Sequence, residues 1–153
     1  MKIKNKGFTL VELLAVIVVI AIIGGIASLS MSIYLSNSKD NVYRNYAATL
    51  KTTVENYLIE NYEKNSSIIP NIGSESTITL NQLITANKID TLKDPNGGVC
   101  DTNSSKVIVK REEDTGINFN LSYYVTLECP HATIVCNEDT AYTNTKDCKI
   151  TKK

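Results

Sequence analysis

KGFTLVELLAVIVVIAIIGGIASL, residues Lys6–Leu29, is the stretch on which the reading of this chain turns. Leu13 to Ile23 is apolar without a break, and Leu13 to Ser38 is 26 consecutive residues without a charge. As a helix, the 22 residues from Phe8 to Leu29 extend about 33 Å at about 1.5 Å per residue. That length matches a hydrocarbon core of about 30 Å. Lys2, Lys4 and Lys6 precede the run, and the first charges after it are Lys39 and Asp40. This asymmetry puts the N-terminus in the cytoplasm and everything after residue 30 outside. A secretory signal peptide shares the basic start, but its usual A-x-A-like cleavage site is not evident and the apolar run is too long. A retained helix fits better.

Glu12 is the one charge inside this helix. An ionisable group there costs about 2.5–3.5 kcal/mol on insertion scales and needs a partner or a purpose. Two readings stand. Glu12 either lies shallow enough to reach the headgroups, or it pairs with a cation. A cut between Gly7 and Phe8 would create such a cation, an amine four residues before Glu12 and on the same helix face. A carboxylate in the first turn also suits the helix dipole.

Lys6-Gly7-Phe8-Thr9-Leu10-Val11-Glu12-Leu13-Leu14, opening an apolar helix, resembles the class III leader of type IV pilins and pseudopilins. The resemblance covers about the first 30 residues closely. It implies that a membrane peptidase, the prepilin peptidase/methyltransferase, cleaves after Gly7 and N-methylates Phe8. It further implies a leader over 1–7, a transmembrane and filament-core helix over 8–30, and an extracytoplasmic pilin-like domain over 31–153. Relatives often have a proline within this helix; here the prolines are Pro70, Pro95 and Pro130, and Gly24-Gly25 is the only breaker pair.

Beyond the apolar run, Leu35, Val42/Tyr43, Tyr46/Ala47, Leu50, Val54, Tyr57/Leu58 and Asn61/Tyr62 recur at steps of three and four. This apolar stripe continues the helix to Tyr62. The tyrosines in it read as core packing. Asn65-Ser66-Ser67 and Pro70 stop the helix. Residues 66–78 read as loop, and Thr79 caps a short helix carrying Leu80, Leu83 and Ile84. Asp94-Pro95-Asn96-Gly97-Gly98 is a strong turn. Lys106–Lys110 alternates as a half-buried strand, Glu113–Gly116 turns, and Ile117 to Leu127 alternates again. Thr133–Val135 adds a short third strand. A long helix followed by a small antiparallel sheet is α+β, the order of the pilin fold.

Cys100, Cys129, Cys136 and Cys148 all lie on the side expected to be extracytoplasmic, where an even count reads as two disulfides. Of three possible pairings we favour Cys100–Cys129, which ties the turn to the end of the long strand, and Cys136–Cys148, which closes a C-terminal loop. Zinc, with His131 as an extra ligand, lacks the C-x2-C pair of structural sites. Free thiols are the other alternative. Asp94, Asn96 and Asp101 flank the Gly-rich turn and are weak calcium candidates. Some pseudopilins resemble this, but the full ligand pattern is absent.

The chain has 153 residues with 16 Lys+Arg against 16 Asp+Glu and a single His. That balance predicts no specific nucleic-acid partner, and one His leaves little for acid–base catalysis. The tail lysines Lys146, Lys149, Lys152 and Lys153 read as a solvated terminus. No nucleophile–base arrangement or phosphate loop appears, so the chain reads as a substrate of enzymes rather than an enzyme, without a cofactor. The expected function is structural: a filament subunit whose partners are the membrane and other pilin subunits. A minor pilin or pseudopilin of a secretion or DNA-uptake system is the alternative, and a non-polymerising surface anchor is a third. The expected location is the cell membrane, single-pass, and the cell surface when assembled.

Overall fold

The computed structural model describes residues 9–62, 68–113, 120–137 and 148–153, with the side chains of 26–30 and 32 excepted. It is α+β, an N-terminal helix packed on a small antiparallel sheet. Helix α1 (Leu10–Tyr62) is followed by β1 (Glu75–Thr79), α2 (Leu80–Thr85), β2 (Lys106–Arg111), β3 (Leu121–Glu128), β4 (Ala132–Cys136) and β5 (Lys149–Lys152). The chain divides into two compact units, residues 1–38 and 39–153.

In the first unit, α1 presents its apolar side chains outward. Leu10 is 80% exposed, Ile17 57% and Ile23 61%. Among the described residues no helix is long and apolar enough to cross a membrane. The described side chains of this stretch run from Leu10 to Gly25 and are apolar except for Glu12, about 24 Å of helix at about 1.5 Å per residue. The span expected over residues 8–30 extends past them at both ends.

In the second unit, the stripe on α1 does bury. Tyr43, Ala47, Leu50, Val54 and Leu58 pack with Ile78, Val107, Val109, Val125, Leu127 and Ile134 in one core. Helix period on one side and strand alternation on the other each leave one apolar face, and the two faces cover each other. The sheet is an all-antiparallel meander in the order β1-β2-β3-β4-β5. Thr79 ends β1 and caps α2, its hydroxyl accepting from the Gln82 amide while the Gln82 side chain accepts from the Thr79 N–H.

Two expectations need correction. Residues 66–78 are not all loop, because β1 starts at Glu75. Only Ile78 of that strand is buried, so the alternation that would betray it is nearly absent. Among the described residues the sheet also has five strands rather than three, since β5, Lys149-Ile150-Thr151-Lys152, forms its far edge there. Its lysines suit an edge exposed to water and remove the hydrophobic run by which a strand is recognised. The short third strand is the middle of β4, and the described part of the long second strand is β3. Ile117 and Phe119 lie outside the described residues.

Candidate functional site

The start of α1 is built by two side chains. Thr9 lies just before the first helical residue, and its carbonyl accepts the Leu13 N–H at 3.2 Å. Its Oγ1 accepts the Glu12 N–H at 3.3 Å, while Glu12 Oε2 accepts the Thr9 N–H at 2.9 Å. Thr9 Oγ1 also donates to Glu12 Oε2 at 2.9 Å. This reciprocal pair is a capping box. Its signature, Thr-x-x-Glu before an apolar run, stands in the sequence at Thr9 and Glu12, a second reason for a carboxylate there beside its charge. The box partly satisfies the carboxylate within its own chain, which lowers the cost of placing it at the mouth of an apolar helix. Oε2 is used locally, and Oε1 has no partner among the described residues. Gly7 and Phe8 lie outside the described residues.

A second cluster sits in the other unit. Asp94-Pro95-Asn96-Gly97-Gly98 closes with Gly97 N donating to Asp94 O at 2.9 Å and Asp94 N to Gly98 O at 3.1 Å. Gly97 and Gly98 have φ of +109° and +93°, conformations that disfavour other residues. A Cβ on Gly98 would also lie 3.1 Å from Pro130 Cγ. The turn drives the Asp94 side chain inward, where it is 5% exposed. Its Oδ1 accepts from Tyr43 Oη at 2.6 Å and from Asn96 N at 2.7 Å. Its Oδ2 accepts from His131 N at 2.9 Å and lies 3.2 Å from His131 Nδ1. Burial alone would raise this carboxyl, but the donors outweigh it and hold it at about 2. Conversely, burial and the bond to Asp94 push the Tyr43 hydroxyl up to about 12. Asn96 Nδ2 donates to Tyr43 Oη at 3.1 Å, and Lys39 Nζ donates to Asn96 Oδ1 at 2.7 Å. One carboxylate thus joins α1, the Gly-rich turn and the Pro130-His131 turn.

The calcium candidates are therefore not brought to one centre. Asp94 is occupied by protein donors, Asn96 bridges Lys39 and Tyr43, and Asp101 Oδ1 accepts from its own turn, Asn103 N at 2.8 Å and Ser104 N at 2.6 Å. Among the described residues no group of three potential metal ligands forms. Cys100 and Cys129 are joined at 1.95 Å and Cys136 and Cys148 at 1.97 Å. These are the pairs favoured from the sequence, and they leave no thiolate for zinc beside His131. The Cys100–Cys129 bond links the same two turns that Asp94 joins. In the basic tail, Lys152 Nζ lies 3.3 Å from Asp40, and Lys153 Nζ donates to Glu128 at 2.8 Å and to Cys129 O at 3.0 Å. The tail is tied to the fold rather than free; Lys146 lies outside the described residues.

Against known proteins, residues 2–28 match the family model described as the prokaryotic N-terminal methylation motif. That motif is the signature of type IV pilins and pseudopilins. No curated protein and no solved structure matches the chain.

Proposed function

We propose that this chain is the precursor of a structural subunit of a type IV pilus or related filament. It is inserted through the helix over residues 8–30, cleaved after Gly7, N-methylated at Phe8 and polymerised through its apolar helix. The carrying observation is the motif over residues 2–28, which supports a pilin-like or pseudopilin precursor and implies a prepilin peptidase and fellow subunits as partners. The exposed apolar side chains of α1 from Leu10 to Ile23 support the same reading. A face that large on one helix needs lipid or other helices around it. The motif points to a structural subunit rather than an enzyme.

In this reading Thr9 and Glu12 share one task. Cleavage after Gly7 leaves the Thr9 amide in place, so the capping box survives maturation. It holds one carboxylate oxygen and leaves the other for an amine on Phe8 of the same or an adjacent chain. Unpaired in a dehydrated filament core, either charge costs several kcal/mol, so pairing favours one axial register. The test is a three-variant assay of surface filaments and membrane-held processed subunits. Gly7→Leu is expected to accumulate uncleaved precursor and no filaments; normal maturation of that variant overturns the proposal. Glu12→Ala is expected to be inserted and cleaved but not assembled. Glu12→Gln separates the two tasks of the residue, because glutamine retains the capping box but not the charge. It is expected to assemble nearly as poorly as Glu12→Ala, and wild-type assembly by Glu12→Gln would reduce Glu12 to a helix cap.

A further inference from the structure

The exposed apolar surface of α1 does not stop where the span over residues 8–30 does. Met31, Ile33, Tyr34 and Leu35 lie beyond it, and all four are exposed, Ile33 at 67% and Tyr34 at 71%. The next apolar residues are Val42, half-buried, and Tyr43, which belongs to the core. Tyr34 is the one aromatic between Phe8 and Tyr43, and Glu12 is the one charge between Lys6 and Lys39. A tyrosine, with an apolar ring and a hydroxyl that prefers water, suits the boundary between lipid chains and headgroups. A carboxylate on a membrane helix is least costly at the same depth. Glu12 and Tyr34 are 22 residues apart, about 33 Å of helix, or about 31 Å across a bilayer at a tilt of about 20°. Two groups that each favour an interface are therefore spaced by one hydrocarbon thickness of about 30 Å. A span over 8–30 instead sinks Glu12 about 6 Å into the lipid chains and leaves four large apolar side chains in water.

We propose that in the membrane-held subunit lipid covers residues 13–35, with Glu12 in the inner headgroup layer and Met31, Ile33, Tyr34 and Leu35 forming a contact with the outer leaflet. The proposal rests on the membrane reading above and fixes where along the helix lipid begins and ends. Leu13 to Leu35 is 23 residues without a charge, within the length that spans a bilayer. Phe8, four residues before Glu12, then falls on the cytoplasmic side of the lipid chains, where water and a peptidase reach the Gly7-Phe8 junction. The Glu12 oxygen left over by the capping box stays hydrated for as long as the subunit is in the membrane. Its pairing with an amine is required only once the helix enters a filament core. The outer contact holds the subunit at this depth, because drawing it outward exposes no new charge but moves Tyr34 and its apolar neighbours from lipid into water.

The chain has no tryptophan, so a single introduced one reports its own depth. The experiment places the full, disulfide-bonded chain in phosphatidylcholine vesicles whose lipids carry bromine either just below the headgroup or near the ends of the acyl chains. Three variants are compared: Ile22→Trp, Tyr34→Trp and Ser38→Trp. Ile22→Trp is expected to be quenched most by the deep bromines. Tyr34→Trp is expected to be quenched most by the shallow bromines and to emit to the blue of Ser38→Trp, which stays unquenched. The same ring four residues further on shares any intrinsic attraction of tryptophan to the interface, so the difference reads the position of the helix. Unquenched, water-like emission from Tyr34→Trp beside a quenched Ile22→Trp overturns the proposal. Shielding of Tyr34→Trp in assembled filaments would then assign the patch to neighbouring subunits. Equal quenching at positions 34 and 38 also overturns it, since lipid would reach past Leu35. If Ile22→Trp is not quenched by either lipid, the membrane reading itself falls and takes the proposal with it.

Discussion

Residues 10–25 and residues 43–58 belong to the same helix, yet they earn their stability differently. Between Tyr43 and Leu58 the positions Tyr43, Ala47, Leu50, Val54 and Leu58 fall at steps of three and four and are buried, with Leu50 and Val54 at 0% exposure. Between Leu10 and Ile23 apolar residues occupy nearly every position and remain exposed. One half has a stripe because a sheet covers one side of it. The other is apolar all round because no single side is meant to be covered by its own chain. The first pattern specifies a fold, and the second specifies an environment.

Core truncation breaks this comparison most sharply. Leu50→Ala is expected to destabilise the folded unit by about 3–5 kcal/mol through lost burial and a residual cavity. Ile17→Ala is expected to leave its thermal midpoint unchanged while weakening assembly. Equal destabilisation by both would mean that the two halves of α1 are not distinct in the way described.

The disulfides come next. The Cys100–Cys129 bond spans 29 residues and the Cys136–Cys148 bond 12. Loop-entropy arithmetic gives about 3.5 and about 3 kcal/mol, so replacing each pair by serine is expected to rank in that order in urea melts. Reductant is expected to lower the thermal midpoint of the wild type, and four alkylatable thiols in native surface material would contradict the pairing.

The buried carboxylate follows. Asp94 is held at about 2 against an ordinary 3.8. A lowered folded value stabilises above the unfolded one, so the contribution, about 2 kcal/mol, is present above pH 4 and is lost as pH falls towards 2. Tyr43, raised from 10.0 to about 12, has the opposite sign: its contribution is present below pH 10 and fades between 10 and 12. Both shifts describe one hydrogen bond and are not added. Tyr43→Phe is expected to flatten the alkaline limb and weaken the acid one, measured by urea unfolding across pH. The smallest effect is at the second helix, where Thr79→Ala removes a cap worth about 1 kcal/mol.

Much of this was legible before any coordinates. The α1 stripe and β2 carried their period openly, because each buries one face against a partner of the same chain. Thr79 announced its cap, and the four cysteines allowed only three pairings. What escaped were the two edges of the sheet. Glu75–Thr79 buries a single residue, Ile78, and Lys149–Lys152 presents lysines to water, so neither has a face to alternate. The Asp94 cluster escaped for a different reason. Oxygen-bearing residues around a glycine turn suit a cation equally well, and only the arrival of Tyr43 from α1 and His131 from the β3–β4 turn shows that protein donors already occupy the carboxylate. The Thr9–Glu12 box was readable as a local signature and was overshadowed by the charge of Glu12 in an apolar run.

The central claim, that this chain matures as a pilin-type subunit, is tested most directly by intact-mass and N-terminal analysis of the protein from assembled surface material. The account predicts a chain that begins at Phe8, carries one methyl group on its terminal nitrogen and retains both disulfides. A dominant surface form that begins at Met1, or one that begins at Phe8 without the methyl group, would contradict it.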